Sequence, residues 1–379
     1  MEVPFNKPYI TGNEIKYMEE CINTGKICGD GKYTKMVSEL LEKTMNSKKI
    51  LLTTSGTHAL EMALIQLNLE EGDEVIVPSY TFVSTANAVL LRKAKLVFAD
   101  IDEKTLNIDI NDVKSKITKR TRAIMPVHYA GISCDMDELM KVARENNIFV
   151  IEDAAQAVYS KYKGKYLGTV GDFGCFSFHE TKNYVCGEGG AISVNLDGED
   201  SIERAEIIRE KGTNRSKFYR GQVDKYTWVD IGSSYLPSDI LSAFLYAQLE
   251  KRDEIYAKRK AIYENYYENL IDLQNRGILK LPVIPEFSTS NYHMFYVLCE
   301  SEKQRDYLMA ELKKMGITAV FHYLPLHTSP VGNRLGYDIG QLPVTEKVGA
   351  TLLRLPMYAS LSNDKQEYVV DSIKRILSV

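Results

Sequence analysis

The sequence predicts an α/β fold in which helices cover both faces of a mostly parallel sheet, followed by a smaller α+β domain. The first observation is that apolar, strand-like segments alternate with helical patterns between residues 74 and 152. Such alternation is typical of β–α–β crossovers and of a parallel sheet. The second is that polar or aromatic clusters follow several of these strands, where ligands bind in sheets of this kind. The third is the length of 379 residues, which is enough for a large core and two domains.

Composition and charge narrow the class of protein. The formal net charge is −4, so there is no basic excess to neutralise phosphates, and nucleic acid is not expected as the main partner. The first residues show no signal-peptide pattern, and no apolar run reaches the ~18 residues that a membrane span needs. The six cysteines are scattered without a Cys-x-x-Cys pair, which predicts free thiols, a cytoplasmic location and no zinc site.

The elements of the first domain follow from hydrophobic periodicity and from turn residues. Residues 9–45 have a mostly helical pattern that glycines interrupt at 24–32, in a loop that is either structural or part of a site. A short strand from Ile50 then leads into a Ser/Thr/Gly turn and a helix. Further strands are predicted at 74–78, 95–100, 122–128, 148–152, 173–178 and 191–195, and helices at 84–92, 108–117 and 136–146.

A long helix at about 238–270 is predicted to connect the two domains. Its first half is apolar and its second half is charged and tyrosine-rich, so we place the boundary inside it, with a large domain at 1–250 and a small domain at 251–379. Pro237 is expected in the first turn of this helix. The small domain is predicted to contain strands at 293–298, 318–323 and 352–357, helices at 302–314 and 364–377, and a loop at 325–343.

Lys182 is the candidate nucleophile. It lies in a polar turn after the apolar segment 173–178, and a glycine-rich stretch at 187–190 precedes the next strand. A lysine that is desolvated and positioned becomes a nucleophile and forms Schiff bases with carbonyl compounds. We therefore hypothesise that Lys182 holds pyridoxal phosphate (PLP). The alternative is an ordinary turn lysine.

Three further features match what PLP needs. The turn at 55–57 opens a helix whose free N–H groups suit a phosphate, and Ser177 is available from the lysine strand. Asp153, at a strand end, suits the ring nitrogen, because a carboxylate there keeps the ring protonated as an electron sink. The alternative for Asp153 is an N-cap of the next helix. Phe82 suits the flat ring.

Two other segments are candidate substrate contacts. The loop at 209–228 mixes bases with aromatic residues, and loops of this length without regular structure are usually functional or mobile. Its bases suit phosphates and its aromatic residues suit a base or a sugar. The alternative is a solvated surface loop. His322 and His327 flank Pro325, which disfavours the i, i+4 spacing of helical metal ligands, so we expect no metal there.

Seven motifs along the chain are together typical of one family. They are Thr54-Ser-Gly-Thr57, Pro78-Ser-Tyr-Thr-Phe-Val-Ser-Thr85, Glu152-Asp-Ala-Ala-Gln156, Phe176-Ser-Phe-His-Glu-Thr-Lys-Asn183, Gly187-Glu-Gly-Gly190, Phe321-His-Tyr-Leu-Pro-Leu-His327 and Leu353-Arg-Leu-Pro356. With them, essentially the whole chain resembles the DegT/DnrJ/EryC1/StrS family of sugar aminotransferases. The resemblance implies the type I PLP-aminotransferase fold, PLP as cofactor, and a homodimer whose subunits share each active site.

The resemblance also implies roles for the matching positions. Lys182 would bind the cofactor and move a proton, Asp153 would pair with the ring nitrogen, and Gln156 would contact the side of the ring that carries the phenolic oxygen. The other implied cofactor contacts are Ser55, Gly56, Thr57 and Ser177 at the phosphate, Phe82 at the ring, and Ser234. Many members have an asparagine at the last position, which reaches the phosphate in the partner subunit. The candidate substrate contacts are His179, Arg215, Arg220, Lys225, Tyr226 and His322.

The implied reaction moves the amino group of L-glutamate to C4 of a nucleotide-linked 4-keto-6-deoxy sugar. Several stretches, Lys26-Ile-Cys-Gly-Asp-Gly31 among them, resemble members that convert dTDP-4-keto-6-deoxyglucose to dTDP-4-amino-4,6-dideoxygalactose for lipopolysaccharide or surface polysaccharides. Alternatives are a 3-amino sugar, the C4 epimer dTDP-4-amino-4,6-dideoxyglucose, or GDP-perosamine.

Two further alternatives change the reaction or remove it. A dehydratase of the same fold would have histidine in place of Lys182, so the lysine argues against it. A non-catalytic PLP-binding regulator belongs to another class of protein. The absence of a recognisable DNA-binding module and of a basic patch counts against the regulator.

Overall fold

The computed structural model describes residues 1–377. The strands are β1 (Ile50–Thr53), β2 (Glu74–Pro78), β3 (Lys95–Ala99), β4 (Thr121–Ile124), β5 (Phe149–Asp153), β6 (Lys161–Tyr162), β7 (Lys165–Tyr166), β8 (Phe173–Ser177), β9 (Gly190–Val194), β10 (Leu279–Lys280), β11 (Ser288–Thr289), β12 (Tyr296–Cys299), β13 (Val320–Phe321) and β14 (Leu352–Arg354). The helices are α1 (Glu14–Asn23), α2 (Lys32–Met45), α3 (Gly56–Gln66), α4 (Val83–Leu91), α5 (Ile110–Lys116), α6 (Met136–Glu145), α7 (Glu199–Arg209), α8 (Arg215–Tyr219), α9 (Asp239–Glu250), α10 (Arg252–Asn275), α11 (Glu302–Lys314), α12 (Pro330–Arg334), α13 (Pro343–Thr351) and α14 (Asn363–Leu377). Within this range, no helix is both long and apolar enough to cross a bilayer.

The large sheet has seven strands in the order β1-β9-β8-β5-β4-β2-β3. Strand β9 pairs antiparallel with β1 and β8, whereas β8, β5, β4, β2 and β3 pair parallel in turn. All residues of β1, β2, β8 and β9 are buried, as expected for a mostly parallel sheet covered by helices on both faces. The predicted fold class is confirmed.

The connection at 238–270 differs from the prediction. It consists of two helices, α9 and α10, which are separated at Lys251. Ser238 is the N-cap of α9 and accepts a hydrogen bond from the N–H of Leu241 (3.5 Å). Pro237 therefore precedes the helix instead of lying in its first turn.

The predicted loop at 325–343 also contains helical structure. Helix α12 lies within this segment, and Pro343, the last residue of the segment, is the first residue of α13. Both helices begin with proline, which suits the first helical position because its missing N–H would have no intrahelical acceptor. The prediction of a loop was wrong because proline, which is typical of loops, also suits the first position of a helix. In the same way, the basic loop at 209–228 contains the short helix α8.

The four-stranded sheet, in the order β10-β12-β14-β13, is antiparallel throughout. Successive residues of each strand point to opposite faces. On one face, Val297 and Leu353 belong to a core with residues of α10, α11 and α14. On the other face, Leu352 packs with Tyr80 and Tyr129, which follow strands of the large sheet. This second face is therefore directed toward the large sheet.

Contacts link segments between residues 251 and 377 to earlier parts of the chain. Near the N-terminus, Val3 forms a parallel bridge with Ile317, just before β13. Strand β11 pairs with β6, which together with β7 forms a three-stranded sheet. The division of the chain into domains near residue 250 stays a prediction.

The glycine-rich loop at 24–32 is held against the start of α9. A Cβ at Gly31 would lie 2.3 Å from Oδ2 of the buried Asp239. That carboxylate accepts hydrogen bonds from the N–H and the hydroxyl of Thr34, both at 2.7 Å, at the start of α2. Glycine at position 31 is therefore required for close packing.

The carboxylate of Glu152 connects β5 to the segment that precedes β8. It is fully buried and accepts hydrogen bonds from the N–H groups of Gly168 (2.8 Å), Val170 (2.8 Å) and Gly171 (2.6 Å). The Nε2 of His128 lies 2.9 Å from the same carboxylate. Because Nδ1 of His128 accepts a backbone N–H, Nε2 carries the proton and donates it to Glu152. Four donors thus depend on one buried carboxylate.

Replacing Glu152 with alanine is expected to lower the free energy of unfolding by about 3–5 kcal/mol, because buried donors lose their acceptor. Denaturant unfolding followed by far-UV circular dichroism measures the change. The matched control is Glu268→Ala, an exposed glutamate of α10, which should change stability by less than about 0.5 kcal/mol. Equal stability of the two variants would show that Glu152 does not have this role.

Candidate active site

Lys182 lies in the turn between β8 and β9. The turn is held by the hydrogen bond from the N–H of Phe178 to the carbonyl of Gly189 (2.8 Å). A Cβ at Gly190 would lie 2.5 Å from the backbone nitrogen of Gly56. The start of β9 is therefore in close contact with the first turn of α3, and the lysine turn lies beside the predicted phosphate site.

The amine of Lys182 is partly buried and lies near two charged groups. Burial lowers the pKa of this amine from 10.5 to about 8; attraction to the Asp153 carboxylate opposes the change, and repulsion by the Arg354 guanidinium adds to it. An amine with this pKa is partly neutral near physiological pH. Only the neutral form of an amine is nucleophilic or accepts a proton, so an amine with this pKa is suited to both tasks.

Asp153 ends β5, the strand that pairs with β8. Its buried carboxylate accepts hydrogen bonds from the hydroxyl of Thr85 (2.8 Å) and from the N–H of Ala155 (3.2 Å). Burial raises its pKa, although these two donors and Lys182 act in the opposite direction. Within residues 1–377, no cationic side chain forms an ion pair with it. A buried carboxylate of this kind is suited to a cationic partner, such as a protonated ring nitrogen.

The turn at 55–57 forms the N-terminus of α3 beside the end of β8. Ser55 is the N-cap and its hydroxyl accepts an N–H of the first turn. The N–H groups of Gly56 and Thr57 have no intrahelical acceptor, since they belong to the first turn. A Cβ at Gly56 would lie 2.9 Å from Cβ of Ser177, so glycine lets the helix approach the strand. Free N–H groups and the helix dipole suit a phosphate here.

Aromatic side chains from the two sheets meet near Asp153. Phe82 precedes α4 and has 56% of its surface exposed, and its ring centre lies 6.3 Å from that of Tyr323. The Tyr323 ring stacks on His322 at 3.6 Å. The hydroxyl of Tyr323 accepts a hydrogen bond from Nε2 of Gln156 (3.0 Å), three residues after Asp153. The exposed ring of Phe82 is free to contact a flat ligand.

The structure adds residues that the sequence reasoning missed. Thr85 supports Asp153, Tyr323 contacts Gln156, and His293 and Arg354 act electrostatically on the site. Burial lowers the pKa of His293 well below its usual range, and repulsion from Lys182 and Arg354 contributes. Only Arg354 gave a signal in the sequence, because a lone cation in the otherwise apolar segment 352–357 is unusual for a buried strand.

The predicted residues around Lys182 are thus brought together. They are linked by the electrostatic attraction between Lys182 and Asp153, by the hydrogen bond from Gln156 to Tyr323, and by the close approach of Gly56 to Ser177. His322 belongs to the same group: burial lowers its pKa well below the usual range, and Arg354 and Lys182 add to this effect. His179 is less closely involved, since its Nδ1 contacts Thr181 within the turn at 2.9 Å.

The residues of the basic loop make their contacts elsewhere. Arg215 and Arg220 line a cavity of about 780 Å³ together with Arg209, Lys26 and Lys35. The contacts of Arg215 and Arg220 are with residues 206–226, and none of them involves the group around Lys182.

Three further candidates lie in the same region. Lys225 and Ser234 are exposed. Tyr226 packs its ring against Phe218, with the ring centres 5.7 Å apart. Within one chain, the structure therefore has two groups of candidate residues.

The residues around Lys182 fit PLP in three respects. The Asp153 carboxylate is buried and has no ion-pair partner among residues 1–377, the N-terminus of α3 is held against Ser177, and a partly neutral lysine lies beside both. Each requirement was predicted from a different part of the sequence, and the fold brings all three to one edge of the large sheet.

Comparisons with known proteins place the chain in a family. The profile of the DegT/DnrJ/EryC1/StrS aminotransferase family matches residues 8–374. A GDP-perosamine synthase of Escherichia coli O157:H7 is 32% identical over 377 residues, which cover 99% of each protein. A pleiotropic regulatory protein of Geobacillus stearothermophilus is 35% identical, with 95% of this chain and 93% of that protein covered.

A solved structure agrees with this assignment. This structure is the PLP form of Spr1654 from Streptococcus pneumoniae, which is assigned as a sugar aminotransferase. It matches with a TM-score of 0.93 and 27% identity, and the match covers 100% of this chain and 99% of that one. The predicted family and cofactor are confirmed. The chain belongs to the DegT/DnrJ/EryC1/StrS family, whose members are PLP-dependent sugar aminotransferases.

Proposed function

We propose that this enzyme transfers the amino group of L-glutamate to C4 of a nucleotide-linked 4-keto-6-deoxy sugar. The specific reaction proposed is the conversion of dTDP-4-keto-6-deoxyglucose to dTDP-4-amino-4,6-dideoxygalactose. The observation that carries the proposal is Lys182, whose amine has a pKa of about 8 beside the buried Asp153. This pair suits transamination, because the reaction needs a nucleophilic amine and a carboxylate at the cofactor ring.

Each residue of the site has a proposed task. PLP, when bound, supplies a carbonyl carbon that takes up amino groups and a ring that withdraws electrons. Lys182 holds the cofactor, and its Nζ later carries a proton from the donor and delivers one to the sugar. Asp153 keeps the ring nitrogen protonated, while Ser55, Gly56, Thr57 and Ser177 hold the phosphate. Phe82 and Gln156 fix the plane of the ring.

A GDP-linked sugar is the second candidate substrate. The E. coli relative is a GDP-perosamine synthase and matches over nearly its whole length, which favours the same product for this chain. The Geobacillus relative is a regulatory protein, and a regulator without turnover is the candidate from another class. The lowered pKa of Lys182 supports an enzyme, since strongly perturbed pKa values are typical of catalytic sites.

The active site is proposed to be completed by a second copy of this chain. The cationic residues Arg215 and Arg220 suit a nucleotide diphosphate, yet their contacts are remote from Lys182. The exposed Ser234 lies in the same region. A homodimer that brings this region against the partner's Lys182 would explain both facts. Ser234 would then donate its hydroxyl to the partner's cofactor phosphate.

The pKa of Lys182 is open to direct measurement in the cofactor-free enzyme. Because only the neutral amine reacts, the rate at which acetic anhydride acylates Lys182 should rise with pH and level off above about pH 8. For ordinary lysines, which have a pKa of ~10.4, this rate should keep rising well above pH 8. Mass spectrometry of the labelled peptides measures both. In Asp153→Asn the plateau should begin at lower pH, because the attraction that raises the pKa is lost. A Lys182 that titrates with the exposed lysines contradicts the proposed site.

The proposed reaction is tested with glutamate and a panel of keto-sugar nucleotides. We expect 2-oxoglutarate and a C4-aminated product from dTDP-4-keto-6-deoxyglucose, with the galacto configuration at C4 by NMR. Turnover only with a GDP-linked 4-keto sugar would support the second candidate instead. Lys182→Ala is the control, and it should lower kcat by at least ~10²–10⁴-fold through loss of acid–base catalysis. Absence of amination with every sugar in the panel would refute the function.

A further inference from the structure

Asn183, the residue that follows Lys182, has a buried side chain with a partner at each end. Its Nδ2 donates a hydrogen bond to the carbonyl of Asn291 (2.8 Å), and its Oδ1 lies 2.9 Å from Nδ1 of His293. Both partners belong to the segment 290–293, which precedes β12 of the small sheet. The turn that carries Lys182 is therefore joined, one residue away from the lysine, to a distant part of the chain.

The hydrogen bonds of Asn183 determine the tautomer of His293. A carbonyl oxygen only accepts hydrogen bonds, so the amide nitrogen of Asn183 must face Asn291 and the amide oxygen must face His293. Nδ1 of His293 therefore carries a proton and donates it to Asn183. Nε2 has no hydrogen-bond partner within residues 1–377, so among hydrogen bonds only the one to Asn183 orients the ring.

The imidazole of His293 is neutral. Burial lowers its pKa well below the usual range, and the amide oxygen that it contacts has no charge that would stabilise an imidazolium. The charged or titratable groups that act on the ring are Lys182, Arg259, Arg354 and His322. All four disfavour a further positive charge. The contact with Asn183 is thus a hydrogen bond between two neutral, buried groups.

The segment 290–293 is itself fixed. Arg259, a buried residue of α10, donates hydrogen bonds to the carbonyls of Tyr292 (2.9 Å) and His293. Tyr292 has a φ of 53°, in the left-handed region. A tyrosine adopts this conformation only where its surroundings impose it. His293 therefore starts from a backbone that other contacts hold in place.

The same segment also contacts the chain after Asp153. The Nδ2 of the buried Asn291 donates to the carbonyls of Gln156 and Val158, both at 3.0 Å. Gln156 follows Asp153 by three residues. One segment of the small domain is thus bonded both to the residue beside Lys182 and to the chain that follows the Asp153 carboxylate.

We propose that His293 is a positioning residue for Lys182, which it holds in place through its hydrogen bond to Asn183. The inference rests on the proposed function, from which it takes the role of Lys182. Because the turn between β8 and β9 is bonded to a fixed segment, Nζ of Lys182 stays where it is partly desolvated and within reach of the Asp153 charge. His293 acts through Asn183 and does not need to touch the cofactor or the substrate.

The pH profile of Lys182 in the cofactor-free enzyme tests this role. Burial is the main cause of the lowered pKa of Lys182, and Asp153 and Arg354 are the charged groups that act on it. His293→Leu removes the donor to Asn183, so the turn should loosen and admit water to the amine. The acylation of Lys182 by acetic anhydride should then level off about one pH unit or more higher than in wild type, toward the ~10.4 of ordinary lysines.

His293→Asn is the conservative variant. Its amide nitrogen is bonded to Cγ, as Nδ1 of histidine is, so it can donate to Asn183 from the same place. This variant should remove at least half of the shift that His293→Leu causes. Mass spectrometry of the labelled peptides measures the profile in every variant, and denaturant unfolding measures its stability.

His327→Asn is the matched control. His327 is also fully buried, and its ring contacts Ser79 at 2.8 Å and Glu346 at 2.9 Å, not Asn183. Loss of this histidine should leave the profile of Lys182 as in wild type, although stability may fall. A shift as large as that of His293→Leu would show that the effect is not specific to the contact with Asn183.

A purely structural histidine would give a different result. If His293→Leu lowers the free energy of unfolding while Lys182 levels off at the wild-type pH, the proposal is overturned. It is overturned equally if His293→Asn behaves like His293→Leu. Should His293→Leu not fold, Asn183→Ala decides, because it removes the acceptor of the same hydrogen bond. An unchanged profile of Lys182 in that variant is contradictory.

These measurements are independent of the substrate. If wild type aminates no sugar in the panel, the proposed function fails, whereas a shifted profile in His293→Leu still supports the positioning of Lys182. An enzyme that aminates a sugar but shows no shift in His293→Leu keeps the proposed function and refutes the role of His293.

Discussion

The site depends on the electrostatic attraction between the buried carboxylate of Asp153 and the partly buried amine of Lys182. Asp153 and Lys182 both lie where burial disfavours their charged forms, and the pKa of each is shifted accordingly. The attraction between the two groups offsets only part of the pKa shift that burial causes in each of them. The fold maintains this arrangement through neighbours that are themselves fixed, since Thr85 holds the carboxylate and Glu152 anchors the segment that leads into β8. The lowered pKa of the Lys182 amine therefore follows from the packing around it.

The large and small sheets contribute different chemistry. The lysine, the carboxylate and the helix N-terminus lie at or after the carboxyl ends of β8, β5 and β1 of the large sheet. The small domain contributes Arg354 at the end of β14 and Tyr323 after β13, and the ring centre of Tyr323 lies 6.3 Å from that of Phe82. Such a division suits a transaminase, because the chemistry at the cofactor is common to both half-reactions whereas recognition of the two substrates is not.

Much of the site could be predicted from the sequence because its members lie in short motifs with local causes. Lys182 lies between two apolar strands, and Gly56 opens a helix after a strand, so hydrophobic pattern and turn chemistry were sufficient. The contacts of Tyr323 and Arg354 could not be predicted, although Arg354 stands out as a lone cation in an apolar segment, because these contacts arise only when the small domain packs against residues about 170 positions away in the sequence. The break at Lys251 was not predicted, because the helical pattern of the sequence continues from the end of α9 into the start of α10 without a breaking residue.

Covalent trapping of the cofactor tests the central claim most directly. The enzyme is loaded with PLP, reduced with sodium borohydride, digested, and analysed by mass spectrometry. Attachment of the reduced cofactor to the peptide that contains Lys182, and its absence in Lys182→Ala, is the result predicted here. Attachment to a different lysine, or failure of wild type to retain any reduced cofactor although PLP is bound, would contradict the assignment of Lys182 as the catalytic lysine.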